Sequence, residues 1–282
     1  METRASRNAP PVARRSAASN QASRADRHDL YERSVQDADA EIDFVTREFR
    51  RLRGRNARLL REDFCGTASV AATWVRQHRQ NRSVGVDLDA SVLAWGAARH
   101  GSKLTRSQQN RLTLLNQDVV KAKTPHQDIV MAMNFSYWIF KTRAALRDYF
   151  RAARRGLCDD GVFMLDCYGG YDAFRVLKEK REIKGFTYVW DQAYYNPVTA
   201  DLRCHIHFQM PDRSWLKEAF TYDWRLWTLP EIREVLQEAG FSRSVVYWQG
   251  WDEEAADGDG LYKPVETADA DAGWIAYLVA LK

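Results

Sequence analysis

Between about residues 58 and 168 of this 282-residue chain, short apolar runs alternate with stretches of helical periodicity, and no other feature constrains the fold as much. The runs are Leu59-Leu60, Val84-Gly85-Val86, Leu112-Thr113-Leu114-Leu115, Ile129-Val130-Met131 and Gly161-Val162-Phe163-Met164-Leu165. Helical stretches are expected to begin near Thr67, Ala90, Val119 and Lys141. Alternation at this spacing predicts βαβ units, hence a parallel sheet covered by helices on both faces. The fold class is therefore read as α/β: a Rossmann-like, seven-stranded, mostly parallel sheet with an antiparallel β insertion after strand five.

The rest of the chain divides around that core. Residues 1–27 are rich in Arg, Ala and Ser without hydrophobic periodicity and are expected to form a disordered basic tail. They have no apolar h-region of a secretory signal. Residues 28–170 are assigned to N-terminal helices and the ligand-binding core; Leu30, Ile42, Val45, Phe49 and Leu52 mark one apolar stripe there, read as a continuous helical pattern from Asp29 to Arg53. Residues 171–227 form the insertion, with strands expected at Phe186–Trp190, Leu202–Met210 and Ala219–Trp227. Residues 228–282 complete the core with a helix opened by the capping box Thr228-Leu229-Pro230-Glu231 and ended at Gly240. Two last strands follow, Ser242–Gln249 and Trp274–Leu281, joined by an acidic loop.

Charge and composition exclude several classes. The net charge of +4 is carried entirely by residues 1–27, leaving a neutral body, which disfavours nucleic acid as the partner. No stretch approaches the ~18 consecutive apolar residues of a membrane helix. The cysteines at 65, 158, 167 and 204 show neither CxxC pairing nor zinc-ligand spacing. Reduced thiols in a cytoplasmic protein, without a metal site, are expected.

Ligands of open parallel sheets bind beyond the carboxyl ends of the strands. Strand one is followed by Glu62-Asp63-Phe64-Cys65-Gly66-Thr67-Ala68, a small-residue turn that lets backbone N–H groups approach a ligand. Strand two ends in Asp87-Leu88-Asp89, where an acid can accept hydrogen bonds from ribose hydroxyls. Asn116-Gln117-Asp118-Val119 follows strand three, and Asn134-Phe135-Ser136-Tyr137-Trp138 follows strand four. Polar residues at four successive strand ends indicate a cofactor bearing a nucleoside; no GxGxxG is present, which disfavours a dinucleotide.

These residues resemble the motifs of class I S-adenosylmethionine-dependent methyltransferases. Leu60–Ala68 resembles the first motif, Val84–Asp87 the second, Gln117-Asp118 the third, and Pro230–Phe241 the penultimate helix of the small-molecule branch. The resemblance implies S-adenosylmethionine as cofactor and a small-molecule acceptor, with nitrogen slightly favoured over oxygen. Glu62 would orient the methionine amine, with Cys65, Gly66 and Thr67 close to the methionine part. Asp87 would hold the ribose, Leu88 pack on adenine, Asp118 bond the adenine amine beside Val119, and Asn134 offer its carbonyl. Tyr31 would close over the cofactor. Phe64 and Ala68 depart from the family pattern, which has glycines there; altered turn geometry is expected, and a non-catalytic cofactor-binding relative is the alternative.

Two residues are candidates for the chemistry itself. Tyr137 matches the aromatic position of a motif found in amino-methyltransferases acting on bases, whose two prolines are missing here. His207 shares one strand face with His205, either as a base or substrate contact or as part of a polar sheet face. The insertion is dense in aromatics, among them Tyr188, Trp190, Phe220, Tyr222 and Trp224. They are read as a cover over an amine or aromatic acceptor, as packing over the core, or as a homodimer interface.

Overall fold

A computed structural model describes residues 20–252 and 257–282. The chain opens with α1 (Gln21–Arg24), α2 (Arg27–Val35) and α3 (Ala38–Arg53). The core follows as β1 (Leu59–Asp63), α4 (Ser69–Gln77), β2 (Arg82–Asp87), α5 (Ala90–Arg99), the short α6 (Arg106–Gln109), β3 (Leu112–Asn116), β4 (Gln127–Ala132), α7 (Arg143–Arg155) and β5 (Leu157–Gly169). The insertion contributes β6 (Leu177–Ile183), β7 (Phe186–Tyr195), β8 (Asp201–Gln209) and β9 (Trp215–Arg225). The chain closes with α8 (Leu229–Glu238), β10 (Arg243–Asp252), β11 (Asp257–Val265) and β12 (Trp274–Leu281).

The main sheet runs β11-β10-β12-β5-β4-β1-β2-β3, with β1 to β5 parallel and β10 to β12 antiparallel to their neighbours. Its central strands are apolar on both sides, as a sheet covered by helices requires: every residue of β4 is buried. On one face α7 and α8 pack through Leu146, Phe150, Ile232 and Leu236. On the other, α3 and α4 pack through Ile42, Val45, Phe49 and Trp74. The strand order reverses between β1 and β4, which opens a crevice at their carboxyl ends. No helix among the described residues is long and apolar enough to cross a membrane, and all four cysteines are free thiols.

The sheet has eight strands rather than the seven expected. The additional one, β11, lies in the stretch read as an acidic loop and forms the outer edge beyond β10. No helix starts near Val119: the β3–β4 connection makes one turn, in which the Asp118 carbonyl accepts the Lys121 and Ala122 N–H groups, and runs on irregularly to Pro125, before which helical backbone is disfavoured. The helical pattern from Asp29 to Arg53 is broken at Gln36-Asp37, because Asp37 caps α3 by accepting from the Ala40 N–H. Residues 1–19 of the expected tail lie outside the described residues, but residues 21–24 form α1 and residue 27 opens α2. There α1 docks on the β8–β9 hairpin, with Gln21 N–H donating to Asp212 and Ala22 N–H to Ser214 Oγ.

The antiparallel sheet, ordered β6-β7-β8-β9, turns its aromatic face inward. Trp190, Leu202, Cys204, Tyr222 and Trp224 pack onto Phe135, Trp138 and Tyr168 of the core. Of the rings named for the insertion, Trp190, Tyr222 and Trp224 thus pack on the chain's own core, and Tyr188 and Phe220 pack with Leu30 and Tyr31 of α2.

Candidate functional site

The turn between β1 and α4 is wound left-handed at Phe64, Gly66 and Ala68, with φ of 56°, 51° and 56°. Glycine adopts this conformation freely, whereas Phe and Ala do so at about 1–2 kcal/mol each. Phe64 and Ala68 therefore take a backbone conformation that glycine adopts freely, at an energetic cost. The Phe64 ring leaves the turn to pack against Phe140 and Tyr149. A Cβ on Gly66 would meet no atom within 4 Å, so the turn's crevice side is open. Its back is closely fitted: a Cβ on Gly96 of α5 would stand 2.0 Å from the Thr67 carbonyl oxygen. Ala68→Gly should relieve the strain and raise the unfolding free energy by up to about 1 kcal/mol in urea titrations. Lower stability would show that the Ala68 methyl, buried against Cys65 and Leu93, outweighs it.

Acidic side chains converge on this turn. Ala68 cannot cap α4, and Glu62 does so from β1, its Oε2 accepting the Ala71 N–H at 2.9 Å. Burial, with Asp87 and Asp63 nearby, pushes the Glu62 carboxyl up to about 8. Asp87 accepts the Gly66 N–H at 2.8 Å and the Asp89 N–H at 2.9 Å, tying the ends of β1 and β2 together. Two of its roughly four lone-pair sites remain. Leu88 follows with 69% of its surface exposed, an apolar side chain placed for a flat ligand. Asp118 is partly exposed at the next strand end and accepts the Val120 N–H; Val119 beside it is buried. Cys65 and Thr67 are buried within the turn.

Asn134 and Phe135 both have positive φ, a strained pair held by Asp166 of β5. The Asp166 carboxylate accepts the Asn134 N–H at 2.7 Å and the Phe135 N–H at 2.9 Å. Burial pushes this carboxyl up to about 7. A third buried acid, Glu41 of α3, faces Glu62 and Asp166, and burial also raises its carboxyl well above the ordinary range. Sequence reasoning missed both Asp166 and Glu41, although Asp166 interrupts an apolar strand and could have been suspected on that ground.

One wall of the crevice is α2. Glu32 accepts from Thr67 Oγ1 at 2.5 Å and contacts His100 Nε2 at 2.6 Å; Asp26 accepts from Trp95 Nε1, and Asp29 pairs with Arg99. From the same helix Tyr31 packs on Phe220 of β9, with ring centroids 4.8 Å apart. Tyr31 therefore stands between the core and the antiparallel sheet, near Tyr222, Glu41 and Asp166.

The two residues expected to carry chemistry are placed otherwise. Tyr137 is wholly buried and donates its hydroxyl to the Asp166 carbonyl oxygen at 2.6 Å, a packing position closed to an acceptor. His207 lies on the outer face of β8, opposite Cys204 and Ile206. Its Nδ1 accepts the Glu218 N–H, which leaves the proton on Nε2 to bond Asp191; Lys178 completes that cluster.

Two charge clusters accompany this core, the first buried and the second partly exposed. Arg61 pairs with Asp63 at 2.6 Å, both essentially inaccessible, and donates to the Val119 carbonyl at 2.7 Å; Tyr149 donates to Asp63. Asp128, Cys158 and Asp160 also converge, and there the Arg55 guanidinium bonds both carboxylates, so the chain itself supplies the positive charge.

No protein-family model matches the chain, and no curated protein matches it in sequence. Solved structures do match. One is an S-adenosylmethionine-dependent methyltransferase from Clostridium acetobutylicum ATCC 824, with a TM-score of 0.66, 16% identity, and 90% of this chain and 97% of that one covered. The SAM-bound amino pentose methyltransferase CalS10 from Micromonospora echinaspora matches with a TM-score of 0.62 and 16% identity over 90% and 95% of the two chains. The sugar N-methyltransferase KedS8 from Streptoalloteichus sp ATCC 53650 matches at 0.60 and 18% over 99% of both. The chain thus has the fold of the class I S-adenosylmethionine-dependent methyltransferases.

Proposed function

We propose that this chain is a methyltransferase that uses S-adenosylmethionine to methylate a small molecule, at nitrogen in preference to oxygen. The observation that carries the reading is the junction of β1 and β2. There a buried acid with raised proton affinity, Glu62, stands beside a turn whose open side at Gly66 admits a ligand. The cofactor bears an ammonium and a sulfonium, and two positive groups suit a crevice lined by Glu62 and Asp166. Leu88 offers an apolar surface to adenine, and Asp87 keeps acceptor capacity for ribose hydroxyls.

When bound, the cofactor supplies an electrophilic methyl group. The protein then has to position the acceptor in line and exclude water. The inward aromatic face of the antiparallel sheet and α2 do the excluding, which gives that sheet the part of a lid. Preference for nitrogen draws on the same rings, whose faces attract cations, and on the amino pentose and sugar N-methyltransferases among the structural neighbours. A cofactor-binding protein without turnover is the other reading.

Calorimetric titration with S-adenosylmethionine and S-adenosylhomocysteine should give micromolar dissociation constants for both. Asp87→Ala should weaken both by a hundredfold or more, because it removes the ribose acceptor and frees the Gly66 N–H. Near-native affinity in that variant would refute the assignment of Asp87, and a wild-type chain that binds neither would refute the proposed function.

A further inference from the structure

The crevice holds more acid than a cofactor at Glu62 would use. Of its three buried carboxylates, Glu62 has an oxygen on the Ala71 N–H, and Asp166 has both on Asn134 and Phe135. Glu41 differs. It is 7% exposed, and its Oε2 is enclosed without any hydrogen-bond partner. A buried polar atom left unpaired is costly and rare, and it marks a position where a donor is expected. The groups facing Glu41 are Glu62 at the end of β1, Asp166 on β5, Asp37 at the start of α3, and the rings of Tyr31, Tyr262 and Tyr277 from α2, β11 and β12. Each is acidic or aromatic, so no cation among the described residues faces Glu41, and a ligand that brings one would complete the site.

We infer that Glu41 binds the acceptor amine, holding it between the cofactor site and Tyr31 and taking the proton that the nitrogen must lose. This inference rests on the methyltransferase reading and names the acceptor class as an amine. In the proton step an N–H bond of the ammonium breaks and its electron pair stays on nitrogen as the attacking lone pair. The proton forms an O–H bond on Glu41, and the carboxylate becomes neutral as the amine does. Burial favours this direction, since it raises the proton affinity of Glu41.

The test uses the full chain saturated with S-adenosylhomocysteine, titrated with benzylamine and glucosamine and with their neutral counterparts, benzyl alcohol and glucose. Wild type should hold at least one amine about tenfold or more tighter than its counterpart, the worth of one charge-assisted hydrogen bond. Titrations in buffers of different ionisation enthalpy should show net proton release as the amine binds, because a raised carboxyl gives up its proton when a cation arrives. Glu41→Gln should remove both the preference and the proton release while S-adenosylhomocysteine affinity stays within about threefold. Glu41→Asp, which keeps the charge, should retain part of each and guards against a folding defect in the first variant. Equal affinity of wild type for amines and neutral compounds would overturn the inference, as would an undiminished preference in Glu41→Gln. A parallel loss of S-adenosylhomocysteine affinity would overturn it too, by assigning Glu41 to the cofactor. A wild-type chain that fails to bind S-adenosylhomocysteine fails earlier, at the methyltransferase reading itself.

Discussion

Glu62→Gln is expected to be more stable than wild type at pH 8 without ligand, and to bind S-adenosylhomocysteine at least tenfold more weakly. The Glu62 carboxyl titrates at about 8 in the folded chain, against an ordinary 4.5. Over that interval the folded state holds a proton that the unfolded state has released. The stabilisation this confers is complete below pH 4.5 and is lost as the pH rises towards 8. Each tenfold difference in proton affinity is worth about 1.4 kcal/mol, so ionisation of Glu62 costs the empty protein about 3–5 kcal/mol by pH 8. Glutamine keeps the shape and the bond to the Ala71 N–H but has nothing to ionise. Urea titrations at pH 5, 6.5 and 8 should show wild type weakening along the series and the variant weakening less. Equal slopes would mean that water reaches Glu62 and keeps it ionised at ordinary pH. Saturating S-adenosylhomocysteine should flatten the wild-type slope, because its ammonium compensates the carboxylate.

The second large effect is expected behind the site. Asp63→Ala should cost about 3–5 kcal/mol in the same titrations, since it leaves Arg61 buried without its counter-ion and Tyr149 without its acceptor. Replacing both charges, as Arg61→Met with Asp63→Leu, should recover most of that loss, because no charge is then left desolvated. The double variant should still weaken cofactor binding. Arg61 ties β1 to the Val119 carbonyl, and the segment carrying Asp118 loses that tether. A loss below 1 kcal/mol for Asp63→Ala would show that the pair is hydrated in solution.

The central strands were legible because a strand buried on both faces must be an apolar run, as in Ile129-Val130-Met131. β6 escaped notice because an edge strand protects itself with charge, and Leu177-Lys178-Glu179-Lys180-Arg181-Glu182-Ile183 reads as a solvated loop. β11 was hidden by Gly258, Gly260 and Pro264, residues that edge strands tolerate and central ones do not. In the candidate site, Glu62 and Asp87 drew notice by their place at strand ends, and Leu88 by the family resemblance. Glu41 did not, because one carboxylate in the first turn of an amphipathic helix looks like dipole compensation until the opposing layer is known.

The docking of α1 and α2 bears on how this chain can be shortened. A sequence-based boundary near residue 27 would remove α1, whose backbone is bonded to Asp212 and Ser214. A boundary ten residues later would remove Tyr31 and Glu32 together, leaving Phe220 and Thr67 without their partners and the crevice open along one side. Trimming that spares the fold has to stop short of Asn20, because α1 and α2 are masonry rather than fringe.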